Sequence, residues 1–201
     1  ENAGDLDPQI VLAPIVEKQC FCATLAFIIT RPRTDGIYMP PIFLGLRVNI
    51  NTVPNEVADG IPFEKDEAHR AYDRDAANRF WRALVQTDRV FKEFRARFCG
   101  KCSPVHFFWG SFDLAVTRFS GRPAPPHPGG IPHLPDAVTR EAYSQEVSSL
   151  GFWPGNEAMP QAIFYSYAYP EPSGFSAAKA QPAAAGYNAQ FKEFILSYDA
   201  V

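Results

Sequence analysis

The clearest periodic pattern in this chain is a helical one, over residues 73–98. Apolar side chains recur there at intervals of three and four, with charged residues between them. They are Phe80, Trp81, Leu84, Val85, Phe91, Phe94 and Phe98. Asp73 or Asp75 can cap the start of this helix, and Thr87 leaves open a second start midway. The pattern therefore predicts one long helix or a helix pair whose apolar side chains pack on the rest of the fold.

Short runs with strand character lie on both sides of that helix. β-branched and aromatic residues or period-2 alternation mark residues 21–30, 44–50, 105–110, 112–119 and 162–169. Further predictions are a short helix over 137–150, a turn over 151–155, a rigid loop over 120–135, and a strand or short helix over 191–198. The strands do not alternate regularly with helices, which favours an α+β fold over a doubly wound sheet. We predict a single α+β domain over residues 1–201, with a mainly antiparallel sheet carrying the long helix or helix pair.

Charge and hydropathy exclude several classes of function. Lys and Arg number 19 against 22 Asp and Glu, a net charge of −3, so we expect no nucleic-acid partner. The longest nearly apolar run, residues 20–29, is about half of a membrane-spanning helix, so we expect no membrane partner. No signal-peptide pattern is recognised, which predicts a cytoplasmic location. The polar start at Glu1 and the abrupt end at Val201 predict that the chain is part of a longer protein.

Four cysteines form a C-x-C pair and a C-x2-C pair, namely Cys20 with Cys22 and Cys99 with Cys102. Such pairs fit a zinc site or a redox motif. However, Cys20 and Cys22 lie in a run that alternates like a strand, where small thiols pack as ordinary core residues. We favour inert, reduced thiols and predict no metal. No cofactor or oligomeric state follows from the sequence.

Three long aromatic-rich motifs carry a resemblance. They read SPVHFFWGSFDLAVTRFSGR at 103–122, EAYSQEVSSLGFWPG at 141–155 and FYSYAYPEPSGF at 164–175. Together they resemble a mainly bacterial family, the domain of unknown function number 5996, from about residue 44 to residue 198. No activity is established for that family, so the resemblance implies no reaction. The family usually has a histidine where Gln145 stands, which implies that any chemistry of that histidine is lost here.

Two residues are candidates for catalysis. His106 lies in an aromatic strand, where it is either a base or a core histidine bonded to backbone. Glu146 is an isolated acid near Trp153. It is either a general acid or base with a raised pKa or a solvated helix residue.

A second set of residues fits ligand binding. Arg118 and Arg122 bracket a glycine turn with Ser120, an arrangement that can hold a carboxylate or phosphate. The alternative is that these arginines pair with Asp113 and Glu146. Aromatic candidates complete the predicted pocket; they are Trp109, Trp153, Tyr165 and Tyr167, the last two on one strand face with Tyr169.

Two functions from different classes remain open. The first is a small-molecule enzyme or ligand-binding protein, with one pocket for an anionic or aromatic ligand lined by His106, Arg118, Arg122 and Glu146. The second is a non-catalytic interaction or scaffold module, in which the motifs serve packing. One concave pocket holding all four residues favours the first, and pairwise salt bridges favour the second.

Overall fold

The structure is a computed structural model, and it describes residues 51–201 apart from residues 56, 58, 70 and 71. The predicted strands at 21–30 and 44–50 and the Cys20–Cys22 pair lie outside the described residues. Neither helix of the described part has the length and apolarity that crossing a membrane requires.

The long helix forms as one continuous element, α1, at Arg74–Ala96. Asp73 caps it: the carboxylate accepts the backbone N–H groups of Asp75 and Ala76 at 2.8 and 2.9 Å. Such a cap satisfies donors that have no partner within the helix. Thr87 is a buried residue within this helix and starts no second one. A short 3-10 turn at Phe63–Lys65 precedes α1.

Six antiparallel strands form one sheet. In chain order they are β1 (His106–Phe108), β2 (Asp113–Pro123), β3 (Gln145–Trp153), β4 (Ile163–Tyr169), β5 (Gly186–Asn188) and β6 (Glu193–Ser197). Their spatial order is β1-β2-β3-β4-β6-β5. A short helix, α2 (Asp136–Ala142), connects β2 to β3, and a 3-10 turn at Tyr198–Ala200 follows β6. The predicted α+β architecture with an antiparallel sheet and one long helix is confirmed.

Two sequence predictions in this region are wrong. The helix over 137–150 ends at Ala142, and β3 begins three residues later and continues through the predicted turn to Trp153. Pairing explains the difference, because β3 has a partner strand along both edges and both sets of ladder hydrogen bonds stabilise it. The predicted loop from residue 120 likewise begins late, since β2 runs to Pro123.

One face of the sheet packs on α1 to form the core. Phe80 of α1 stacks on Phe112 with ring centroids 5.4 Å apart and contacts Phe107 and Phe152 at 6.2 and 6.4 Å. Leu114, Val116 and Phe91 complete this aromatic and aliphatic cluster. Because strand side chains alternate, the intervening residues of the same strands point to the opposite face.

Candidate functional site

The sheet face opposite α1 carries a set of polar side chains beside apolar ones such as Val147, Ile163 and Ile195. Strand alternation and register bring them together. We call this surface the polar face; its residues are His106, Asp113, Thr117, Ser149, Tyr165, Tyr167 and Glu193. Five different strands contribute to it, so only the folded sheet assembles it.

A buried carboxylate on β2 anchors the polar face. Asp113 accepts hydrogen bonds from the hydroxyls of Ser111 and Tyr165, one on each carboxylate oxygen. Tyr165 belongs to β4 and reaches Asp113 by crossing β3 above Gly151. A Cβ at Gly151 would overlap the Tyr165 ring. Glycine is therefore required here by close approach, which allows two strands that are not neighbours to share a hydrogen bond.

The second tyrosine of β4 continues the network. The rings of Tyr165 and Tyr167 are nearly parallel, with centroids 6.2 Å apart. The Tyr167 hydroxyl lies 2.6 Å from that of Tyr143, which follows α2. Burial raises the pKa of Tyr165 and of Tyr167, so both hydroxyls keep their protons and can donate at neutral pH.

Two carboxyl groups of this face have raised pKa values. Burial raises the pKa of Asp113, although the bonds from Ser111 and Tyr165 favour its charged form. Burial and then the charge of Asp113 raise the pKa of Glu193 to about 7. No salt bridge joins either carboxyl to a basic side chain of the described residues. His106 is near enough to favour the charged form of Asp113, but its ring is exposed and lies edge-on to Phe108.

An aromatic cluster covers the other end of the polar face. His127 stacks on Tyr143 with centroids 4.7 Å apart and lies 5.1 Å from the ring of Tyr169. Tyr169 also donates its hydroxyl to the carbonyl of Pro125 at 3.1 Å. These contacts hold the loop after β2 against the sheet. His127 lies in the loop predicted over 120–135, and its ring is partly covered by these two tyrosines.

The predicted arginine site lies on the opposite, helix-facing side of the sheet. The Arg118 guanidinium lies over the Phe94 ring of α1, 3.4 Å from the centroid, and donates to the Phe94 carbonyl. Arg122 donates through Nε to Glu146 at 2.7 Å, and Ser120 donates to the same carboxylate at 3.1 Å.

These contacts correct two expectations for the helix-facing group. Glu146 lies on a strand, and the hydrogen bond from Arg122 lowers its pKa, so the expected raised pKa is wrong. Asp113 pairs with hydroxyls, so the alternative that it pairs with Arg118 or Arg122 is also wrong, whereas that of an Arg122–Glu146 pair is correct. The other catalytic candidate, His106 on the polar face, is exposed, which contradicts the core-histidine alternative.

Both candidate tryptophans lie near the β1–β2 turn. Trp109 packs on Phe63 with centroids 5.2 Å apart, as part of the core. Trp153 donates its indole N–H to the carbonyl of Ser111 at 3.1 Å. This bond fixes the backbone of the residue whose side chain holds Asp113. Trp153 therefore supports the polar face from its edge.

The predicted site residues therefore form two groups rather than one pocket. His106, Asp113, Tyr165 and Tyr167 share the polar face, whereas the helix-facing group comprises Arg118, Ser120, Arg122 and Glu146. Sequence reasoning missed Glu193 and Tyr143. If the segment 191–198 is taken as a strand, period 2 places Glu193 on one face with Ile195 and Ser197. The sequence therefore contained a signal that could have identified Glu193.

The described residues contain no group of three or more His, Cys, Asp or Glu arranged to hold a metal ion. Cys99 is exposed, Cys102 is half-buried, and both are free thiols.

Comparison with known proteins gives one match. Residues 42–201, well over half of the chain, match the model of a family described as a family of unknown function (DUF5996). This match confirms the resemblance drawn from the aromatic-rich motifs. No curated protein and no solved structure matches the chain.

Proposed function

This chain belongs to the family of unknown function DUF5996, and we propose from its own residues that it binds or converts a small molecule on the polar face. The observation that carries this proposal is that one sheet face holds two carboxyls, Asp113 and Glu193, whose pKa values burial raises. Removing a carboxylate from water is unfavourable unless a cation or several donors compensate it. A sheet face that served only packing would be more stable with apolar residues at these positions.

The two carboxyls differ in a way that suits acid–base chemistry. Asp113 is held by two hydroxyl donors, so its orientation is fixed. Glu193 has a pKa of about 7, which lets it give or take a proton at neutral pH. Pairs of titratable groups with unlike surroundings are a recurring sign of functional sites. We assign Glu193 the role of proton donor or acceptor and Asp113, with Tyr165, that of orienting the ligand.

The surroundings favour an aromatic ligand that carries a positive charge or donates hydrogen bonds. Tyrosine rings line the face, and a cation there would offset the charge of the carboxyls. An anionic ligand depends instead on Arg122, whose guanidinium already pairs with Glu146. The other guanidinium, that of Arg118, is engaged by Phe94. An anion would have to displace one of these partners.

One observation favours the alternative, a non-catalytic interaction module. Trp81 on α1 is 63% exposed, and Val85 one turn further along is also exposed. Exposed apolar side chains on one helix face are typical of protein–protein contacts. An interaction module that binds its partner through α1 requires no acid–base role for Asp113 or Glu193.

Three ring compounds of matched shape test the proposal: benzylamine, benzyl alcohol and benzoate. Each is titrated into isotope-labelled protein while backbone amide shifts are followed by NMR. We expect shifts to cluster on β2, β3, β4 and β6, with benzylamine bound more tightly than benzyl alcohol and benzoate weakest. Glu193→Gln keeps the shape of the side chain, so it should remove the preference for benzylamine over benzyl alcohol.

Arg122→Gln is the matched control, because it changes the charge of the helix-facing side alone. If that variant, and not Glu193→Gln, alters the order of binding, the ligand is an anion held at Arg122. If all three compounds leave the polar-face amides unshifted and only α1 responds to added partners, the interaction module is the better account. Native mass spectrometry of freshly purified protein complements the titration by detecting a retained small molecule.

A further inference from the structure

A histidine and a buried carboxylate outside the polar face form a hydrogen-bonded dyad. Nδ1 of His69 lies 3.0 and 2.9 Å from the two carboxylate oxygens of Asp66. The Asp66 side chain is 1% exposed and that of His69 is 30% exposed. Both residues lie between the 3-10 turn at Phe63–Lys65 and the start of α1.

The carboxylate determines which ring nitrogen carries the proton. Burial opposes the charged form of Asp66, but hydrogen bonds from the His69 ring and from two backbone amides hold the pKa of its carboxyl below its ordinary value. An ionised carboxylate only accepts hydrogen bonds, so Nδ1 must be the protonated nitrogen. Neutral His69 then has its lone pair on Nε2, and its ring hydrogen bonds to described residues all involve Nδ1.

We propose that His69 is a general base that acts through Nε2 on a hydroxyl group of a small molecule or on water, with Asp66 as its positioning residue. In that step the O–H bond breaks, its electron pair stays on oxygen, and the proton bonds to Nε2. The imidazolium that forms is stabilised by the adjacent carboxylate. This arrangement, an acceptor nitrogen with its ring oriented by a third group, is the one that activates hydroxyl groups in unrelated enzymes.

A purely structural role explains only part of this geometry. Oδ1 of Asp66 also accepts the N–H groups of Ala68 and His69 at 3.1 Å, which closes the turn without any ring. An alanine or serine at position 69 would preserve those bonds. The imidazole adds a contact that orients the ring while leaving nearly a third of the side chain exposed to solvent. A metal role is less suitable, because the described residues supply no further ligands.

The tautomer is tested on the unmodified protein. Nitrogen-15 NMR of the histidine rings at alkaline pH distinguishes a protonated from an unprotonated ring nitrogen. We expect the His69 ring to be protonated at Nδ1 and to have a free lone pair on Nε2. A proton found on Nε2 would overturn the proposal, since that nitrogen would then have no lone pair for a base.

Reactivity is tested with diethyl pyrocarbonate and peptide mapping by mass spectrometry. The Nε2 lone pair bonds to one carbonyl carbon while the bond from that carbon to the bridging oxygen breaks. The ethyl carbonate that leaves takes up, through water, the proton released from Nδ1 and decomposes to ethanol and carbon dioxide. In Asp66→Asn we expect His69 to react about tenfold more slowly, the low end of the range known for metal-bound histidines that lose their carboxylate partner. The internal controls are His106, His127 and His133, whose rates should stay unchanged.

Two results would contradict the dyad as a base. One is an equal rate at His69 in wild type and Asp66→Asn. The other is a loss of thermal stability in His69→Gln as large as that in Asp66→Asn, which would make the ring a structural element. Should Asp66→Asn fail to fold, the tautomer measurement on the wild-type chain still decides the question. Neither test involves the polar face, so the outcome of the ligand titrations there does not affect the proposal for His69.

Discussion

The two faces of the sheet are built from alternate residues of the same strands. Different physical causes account for the residues found on each face. On the helix-facing side, Phe152 and Val116 are 0% exposed and pack on α1. Hydrophobic burial accounts for each of them. On the polar face, Asp113 and Glu193 lie near tyrosines and form no salt bridge with a basic side chain of the described residues. Burial alone makes that arrangement unfavourable, which is why we assign function to the second face and stability to the first.

The largest expected effect is on the helix-facing side. Phe152→Ala removes a ring that contacts Phe80, Phe164 and Tyr198, and it leaves a cavity. We expect the free energy of unfolding to fall by about 3–5 kcal/mol, measured by urea denaturation. Phe191→Ala is the control, because Phe191 is 47% exposed and its loss should change little. Equal effects of the two substitutions would contradict the assignment of the core.

Gly151→Ala tests how the polar face is assembled. The new methyl group overlaps the Tyr165 ring, so the ring must move and its bond to Asp113 is lost. We expect a decrease of about 1–3 kcal/mol in the free energy of unfolding. In a Tyr165→Ala background the same substitution should have almost no effect, because the overlapping ring is absent. An undiminished effect there would mean that Gly151 is needed for its backbone and not for the crossing tyrosine.

Arg118 and Arg122 offer a comparison within the helix-facing side. Arg118→Ala removes a cation–π contact and a bond to the Phe94 carbonyl, so it should destabilise the fold by about 2 kcal/mol. Arg122 is exposed, and Arg122→Ala should leave the free energy of unfolding almost unchanged. Chemical denaturation of both variants measures the difference. If Arg118→Ala folds as stably as wild type, its guanidinium is free for a ligand and the two-face division fails.

Most of the fold could be predicted from local patterns. The helical period before residue 98 and the alternation over 112–119 and 162–169 mark α1, β2 and β4, because each element buries a regular set of side chains. The start of β3 could not be predicted, since residues 137–150 contain no glycine or proline to mark where the helix ends and the strand begins. Its pairing with strands on both sides depends on contacts that are distant in sequence.

The candidate site was harder to predict because it depends on which face each strand presents. Strand alternation alone puts Tyr165 with Tyr167, and that grouping is correct. It does not relate Asp113 on β2 to Tyr165 on β4, which meet only because Gly151 lets a ring cross the strand between them. Arg118 and Asp113 are near in sequence and point to opposite faces. Proximity along the chain therefore suggested pairs that the sheet separates.

The smallest expected effect concerns the pH dependence of stability. The pKa of Glu193 is raised from 4.5 to about 7 in the folded chain, so between these values the folded state binds more protons than the unfolded state. The free energy of unfolding should therefore be highest below this range and fall as the pH rises through it. Because much of the Glu193 side chain stays in contact with solvent, screening limits the fall to on the order of 1 kcal/mol.

Glu193→Gln cannot titrate, so its stability should change less between pH 4.5 and about 7 than that of wild type, as measured by urea denaturation across the range. Glu141→Gln is the control, because Glu141 is an exposed residue of α2 and the same substitution there should leave the wild-type slope intact. Asp113 also has a raised pKa and adds a slope of the same sign above its ordinary value of 3.8, which both variants retain. A wild-type slope in Glu193→Gln would mean that Glu193 is solvated like any surface carboxyl. The polar face would then lack its proton donor, and the contrast between the two faces would reduce to one buried aspartate.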